Sequence, residues 1–281
     1  MPRTPVRIIA AAGAAALALG LVACAPTAGT AGTAGTDSGY VTEGKLTIGT
    51  GQPAYYPWVI DDAPDSGEGF EAAVAYAVAE ELGFAKDDVV WVRSTFEQAV
   101  APGAKDFDFN LQQFSITEER EASVDFSSPY YETTQVVITT ATSKAAGATS
   151  IADLKDLLIG AQTGTTSFDA VERQIAPTAG AQVFNTNDDA KLALESGTVD
   201  AIVVDLPTAF YLTGVELTEG RIIGQLPQGD GAGDKFGLVL ANDSPLTAPV
   251  TAAVDALREN GTLQALADEW LADAASAPPL R

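Results

Sequence analysis

From Lys45 onward the apolar positions switch repeatedly between two spacings: short runs at every second or every position, and longer ones at every third or fourth. The first spacing suits a strand and the second the buried stripe of a helix. The pattern predicts a strand at 46–49, a helix near 70–82, a strand at 89–92, a short helix after Phe96 and a strand near 107–111. In that last strand Phe107, Phe109 and Leu111 alternate with Asp106, Asp108 and Asn110, as on a half-buried sheet. A second alternation predicts a capped helix at 149–157, a strand at 158–162, a helix at 168–175, a strand at 181–184, a helix at 188–195, a strand at 200–204 and a proline-opened helix at 207–212. A strand at 236–240 and helices at 244–258 and 262–271 complete the chain. Two runs of βα units imply two α/β lobes.

Before this body the pattern changes. Residues 1–23 combine Arg3 and Arg7, an apolar run from Ile8 to Val22 and small residues before Cys24, which together read as a secretory signal. The sequence Leu21, Val22, Ala23, Cys24 resembles a lipobox, which implies that Cys24 becomes the lipidated N-terminus of the mature protein. Residues 24–44, rich in Gly, Thr and Ala, have no periodicity that could bury a face and read as a flexible tether.

Composition narrows the chemistry. The chain has 281 residues, 46% of them hydrophobic, enough for one large or two moderate cores. Lys and Arg total 15 against 38 Asp and Glu, a net charge of −23, so the basic patches that neutralise phosphates are missing and nucleic acid is not an expected partner. Histidine is absent and Cys24 is the single cysteine, which excludes His/Cys metal centres, Ser–His and Cys–His catalysis and disulfides. No cofactor is implied. Two motif matches fail on context: GYVTEGK at 39–45 mimics a phosphate loop but runs into a strand, and NTNDDA at 185–190 lacks the glycine of a calcium loop.

The segment SITEEREASVDFSSPYY, 115–131, carries the most chemistry. Thr117 is a good N-cap for a helix starting at Glu118, and Arg120 falls in its first turn, just after a strand that ends in Gln112, Gln113 and Ser115. A guanidinium there can grip a carboxylate with two parallel charge-assisted hydrogen bonds; as an exposed residue it would merely pair with Glu118 or Asp125.

On these residues the chain resembles the amino-acid-binding family of ABC-transporter extracellular solute-binding proteins. The family pattern appears as QQFSITEER and VDFSSPYY, preceded by KLTIGTGQPAYYPW and GEGFEAAVAYAVAEELG and followed by ADLKDLLIGAQTGTTS, LESGTVDAIVVDLPTAFY, FGLVLANDSPL and LRENGTLQALADEWL. The resemblance implies a two-lobed periplasmic binding protein-like (type II) α/β fold, with lobe 1 at 45–138 plus 233–273, lobe 2 at 139–232 and a tail at 274–281. The hinge crossings would lie near 137–142 and 229–234, the latter Gly-rich.

Ligands of open α/β sheets sit beyond the carboxyl ends of strands, which here gives Gln52, Tyr55, Trp58, Gln112, Gln113, Ser115, Thr165, Thr166 and Asp205, with Phe70 before the first long helix. The resemblance implies that Tyr55 and Phe70 pack on an amino-acid side chain, Arg120 binds the α-carboxylate supported by Ser115 and Thr166, and Asp205 receives the α-ammonium. As structural residues, Tyr55 and Phe70 would be core aromatics, Asp205 an N-cap, and the two threonines a cap for the helix that follows. Gln52, Gln112 and Gln113 suggest a neutral polar pocket, glutamine-like in preference. The expected protein is a monomeric binder rather than an enzyme, held at the outer face of the cytoplasmic membrane by lipidated Cys24 and handing its ligand to ABC permease subunits. An enzyme on the same scaffold, of dehydratase type, and a ligand-presenting sensory module are the alternatives.

Overall fold

The computed structural model describes residues 39–228, 233–271 and 277–281. The signal segment and Cys24 lie outside them. In chain order the elements are β1 (Leu46–Gly51), α1 (Phe70–Glu81), β2 (Val89–Ser94), α2 (Phe96–Val100), β3 (Phe109–Leu111), α3 (Glu118–Glu121), β4 (Val124–Phe126), β5 (Tyr131–Thr133), β6 (Gln135–Thr140), β7 (Ile159–Gln162), α4 (Thr166–Ala170), β8 (Gln182–Phe184), α5 (Asn187–Glu195), β9 (Ala201–Asp205), α6 (Leu206–Tyr211), β10 (Gly220–Gln225), β11 (Asp234–Phe236), β12 (Val239–Ala241), α7 (Thr247–Glu259) and α8 (Thr262–Trp270).

They form two five-stranded sheets, ordered β2-β1-β3-β12-β4 and β10-β6-β9-β7-β8, and a two-stranded antiparallel ribbon of β5 and β11. Each sheet joins parallel βα strands to antiparallel ones: β12 runs against β3 and β4, and β6 against β9 and β10. This is the two-lobed α/β type II fold expected from the sequence. Central strands such as β9, with Ala201, Ile202, Val203 and Val204 all buried, carry apolar side chains to both faces because helices cover both. The first lobe buries Leu46, Ile48, Val74, Val78, Phe109 and Leu240 beneath α1, α7 and α8, and the second buries two layers, one around Ile138 and Ile202 and one around Ile159 and Val203.

Several helix starts follow local chemistry. Thr95 and Gln98 form a reciprocal capping box at α2, and Thr117, Thr165 and Thr186 each accept a backbone N–H at the first turn of α3, α4 and α5. Gly69 opens α1 at φ 101°, where a Cβ would meet the Trp58 carbonyl oxygen at 2.6 Å, so only glycine fits.

Four differences from the sequence expectation bear on how the lobes are joined and bounded. The crossing expected at 137–142 falls earlier, because all of β6 is hydrogen-bonded into the second sheet and the β5–β11 ribbon immediately precedes it. The strand expected at 236–240 is two strands serving different sheets, parted at Gly237. The tether expected to reach residue 44 ends sooner: Tyr40 packs edge-on against Phe84 at 5.1 Å and the Val41 N–H donates to Asp108 Oδ1 at 2.7 Å. Finally, residues 277–281 of the expected tail dock on the second lobe, where Ala277 and Leu280 are buried and the Leu280 N–H donates to the Gln225 carbonyl at 2.9 Å.

Candidate ligand-binding site

The carboxyl ends of β1, β3 and β7, with the first residues of α2, α4 and α5, surround a cavity of about 170 Å³ between the lobes. Gln52, Tyr55, Gln112, Gln113, Ser115 and Arg120 border it from the first lobe and Thr165, Thr166 and Asp205 from the second. Two residues expected at the ligand are elsewhere. Phe70 and Trp58 are fully buried in an aromatic cluster, 6.0 Å apart between ring centroids, with Tyr131 and Phe236 closing it. Phe70 is the first residue of α1, and its ring is part of the first-lobe core rather than of the cavity lining. Trp58 instead reaches across the lobes, its Nε1 donating to Thr208 Oγ1 at 3.1 Å.

The aromatic that does meet the cavity beside Tyr55 is Phe96, whose ring centre lies 5.1 Å from the Arg120 guanidinium carbon. The strand-end rule applied to β2 would have found it, since the Thr95–Gln98 capping box marks a helix starting right at the end of that strand. Asn185, Thr186 and Asn187, set aside as a failed calcium loop, also border the cavity, as does Glu71.

Arg120 is anchored from both lobes. Its Nη1 donates to the Ser115 carbonyl at 2.6 Å and its Nη2 to the Gly164 carbonyl at 2.9 Å, while Thr117 Oγ1 accepts its backbone N–H at 3.2 Å. The guanidinium has five N–H donors, so these two bonds leave others for an anion in the cavity. Burial pulls its pKa below the ordinary value, and the carboxylates of Asp234 and Asp205 oppose that shift. The hydroxyls of Ser115 and Thr166, one from each lobe, lie 3.1 Å apart next to it.

The acidic side is more crowded than the sequence suggests. Glu71, 2% exposed, accepts the Gln113 N–H at 2.8 Å together with the Gln113 side-chain amide and the Tyr130 hydroxyl. These bonds hold Gln113 in a left-handed conformation, φ 53°, unusual for a residue with a side chain. Burial pushes Glu71 up to about 7, its hydrogen bonds pulling the other way. Asp205 is pushed up to about 8 by burial first and by Asp234 second, against the pull of Gln135 and Arg120. The three glutamines expected to make the pocket neutral are joined at its border by two acids, Glu71 and Glu97. Gln112 is spoken for by its neighbours, its Nε2 donating to Ser94 Oγ and Asn110 Oδ1, each at 3.0 Å.

This arrangement presents groups of both charges to one small cavity. Among the described residues no group of three or more metal-ligating side chains is present, and no helix is long and apolar enough to cross a membrane.

The family model of bacterial extracellular solute-binding proteins, family 3, matches residues 46–273. The chain belongs to that family. An L-arginine-binding protein of Pseudomonas aeruginosa is 29% identical to this family 3 solute-binding protein, over 78% of the chain and 85% of the relative. Among solved structures, an ancestral arginine-binding protein bound to glutamine superposes with a TM-score of 0.68 at 27% identity, covering 82% of this chain and 98% of that one. An ancestral amino acid-binding protein described as a precursor of cyclohexadienyl dehydratase gives 0.66 at 28% identity, with 81% and 95% covered. Family 3 proteins are extracellular binders, and the named relatives of this one bind amino acids.

Proposed function

We propose that this solute-binding protein captures a free α-amino acid between its lobes and delivers it, unchanged, to an ABC importer. The observation that carries the reading is that Arg120 from one lobe and Asp205 from the other border a single cavity. In this reading Arg120 takes the α-carboxylate, with the hydroxyls of Ser115 and Thr166 beside it, and Asp205 takes the α-ammonium. Tyr55 and Phe96 flank the side chain. A zwitterion is costly to bury unless each charge meets an opposite, hydrogen-bonded one, and only the two lobes together supply both. The monomeric body would work at the outer face of the cytoplasmic membrane, tethered through lipidated Cys24.

For the side chain we favour an uncharged amide, glutamine-like, because Gln52, Gln112 and Gln113 converge on the cavity and the ancestral arginine-binding protein is described with glutamine bound. A cationic side chain is the second reading: Glu71 and Glu97 also border the cavity, and the Pseudomonas relative is named for arginine. A thermal-shift panel of all amino acids followed by calorimetry decides, because a ligand that binds the native state raises the melting temperature by mass action. The largest shift with glutamine supports the first reading and with arginine the second; no shift with any amino acid refutes both. Recovery of the bound compound unaltered by mass spectrometry separates binding from a dehydratase-like activity.

A further inference from the structure

Beyond Asp205 the hydrogen-bond network of the cleft continues to the hinge. Gln135 is the first residue of β6 and stands directly opposite Asp205 of β9 in the sheet register. Its single Nε2 donates to Asp205 Oδ1 at 2.8 Å and to Asp234 Oδ2 at 2.7 Å, with Thr166 Oγ1 at 3.3 Å, while its Oε1 accepts from Ser167 Oγ at 2.5 Å. Asp234 opens β11, one of the two strands of the ribbon between the lobes, and Ser115 Oγ lies 3.5 Å from its Oδ2.

We propose that Asp234 is a positioning residue for the ligand's ammonium group, acting on Asp205 through the side-chain amide of Gln135 that both carboxylates share. The inference rests on the amino-acid reading above. An amide has two N–H protons, and here both are committed to carboxylates, so the Asp205 carboxylate is fixed in place on a donor that cannot ionise. The same arrangement brings two like charges to one neutral group, with Arg120 as the cation facing them. The other titratable groups facing Asp205 are Glu71, Tyr130 and Tyr131; both phenols are raised and stay neutral. The charge of Asp234, held beside Asp205 on that amide, helps keep a proton on Asp205 in the protein alone, while the amide itself favours the ionised form. When the ligand's ammonium arrives it already carries its own protons, so the Asp205 O–H bond breaks, its proton passes to solvent, and an ammonium–carboxylate pair replaces the acid. Binding releases a proton, and the hinge strand sets the pH at which it does so.

The experiment is calorimetry of amino-acid binding from pH 6 to 9 in two buffers of different ionisation enthalpy, which counts protons released. The full chain should release protons near pH 7, and its affinity should climb toward a plateau above about pH 8. In Asp234→Asn the climb should move about one pH unit lower relative to that variant's own plateau, a tenfold change on the acidic side. In Gln135→Met, which removes the donor but keeps both acids, it should move higher. Opposite shifts from two adjacent substitutions are not produced by a loss of structural support alone. Binding with no proton release, or with the same profile in the three proteins, overturns the role of Asp234 and leaves the functional reading intact. Absence of binding by every amino acid overturns the functional reading instead. The wild-type proton count stands even where a variant does not fold.

Discussion

Raising the pH of the ligand-free protein from 5.5 to 6.5 should destabilise it. Glu71 is held at about 7 and Asp205 at about 8 in the folded chain. Unfolded, such carboxyls titrate near about 4. A carboxyl whose folded pKa is raised contributes stability that is complete below its unfolded pKa and is lost as pH climbs through the folded value. Between pH 5.5 and 6.5 both groups are largely protonated when folded and ionised when unfolded, so each costs about 1.4 kcal/mol per pH unit and the pair about 2–3 kcal/mol. For a body of this size that is a fall in melting temperature of about 5–10 °C. The depressed groups Asp153, Asp255 and Glu216 contribute little change here, since their stabilisation is gained at lower pH. Differential scanning calorimetry in buffers of matched ionic strength reads the slope directly. Replacing Glu71 by Gln and Asp205 by Asn should flatten it, each removing about half. A melting temperature that stays level or rises from pH 5.5 to 6.5 would show that these carboxyls are solvated as ordinary surface acids, and the electrostatic description of the cleft would fail with it.

Arg120→Ala should weaken amino-acid binding by about 2–5 kcal/mol, the usual cost of truncating one partner of a buried hydrogen-bonded charge pair, and an unchanged dissociation constant by calorimetry would remove Arg120 from the site. Phe96→Ala should cost about 0.5–2 kcal/mol of affinity through loss of the ring facing that guanidinium, with Phe70→Leu affecting the melting temperature far more than the affinity. Thr208→Val leaves the Trp58 indole N–H without its partner when the lobes meet; the expected loss is about 1–3 kcal/mol in affinity, read by titration against a melting curve that fixes the change in stability.

What the sequence could show and what it could not divide along lines of contact distance. Helix starts at Thr117 and Thr165 are local, three or four residues of capping chemistry, and both threonines were legible as caps. The βα alternation likewise follows from spacing within single elements. Glu71 was invisible for the opposite reason: only Tyr130 and Gln113, 59 and 42 positions away, make its burial possible. Asp234 and Gln135, separated by 99 positions, look like two ordinary polar residues until the ribbon and the second sheet are assembled. Phe70 and Phe96 both stand at the start of a helix, and which ring faces the cavity depends on how each helix lies on the sheet. The family pattern pointed to Arg120 and Asp205, positions that need only a strand end and a following turn and that border the cavity; it also pointed to Phe70, which is buried in the core, because proximity to a strand does not fix the direction of a side chain.

The forces that bring the lobes together and those that oppose it fall in different places. Attraction comes from contacts beside the ligand space: Ser115 against Thr166 at 3.1 Å, Arg120 to the Gly164 carbonyl at 2.9 Å, Trp58 to Thr208 at 3.1 Å, and the rings of Tyr56 and Tyr211 at 4.4 Å. Net contributions of about 1 kcal/mol each make a few kcal/mol in all. Opposition is concentrated where Asp205, once ionised above about pH 8, and Asp234 share one amide and face one guanidinium. A ligand shifts the balance only by interacting differently with the joined and separated lobes, and the term with most room to change is that surplus of negative charge. It follows that the ammonium of an amino acid, more than its carboxylate, should decide affinity. The deaminated acid brings a further carboxylate to a site already lined by acids, with Arg120 as its cation among the described residues, and should bind at least about a hundredfold more weakly than its parent, about 3 kcal/mol, while the decarboxylated amine loses less. Calorimetry with the three compounds at pH 8.5, where Asp205 is mostly ionised, tests this ordering, and a deaminated acid that binds as well as the parent refutes it.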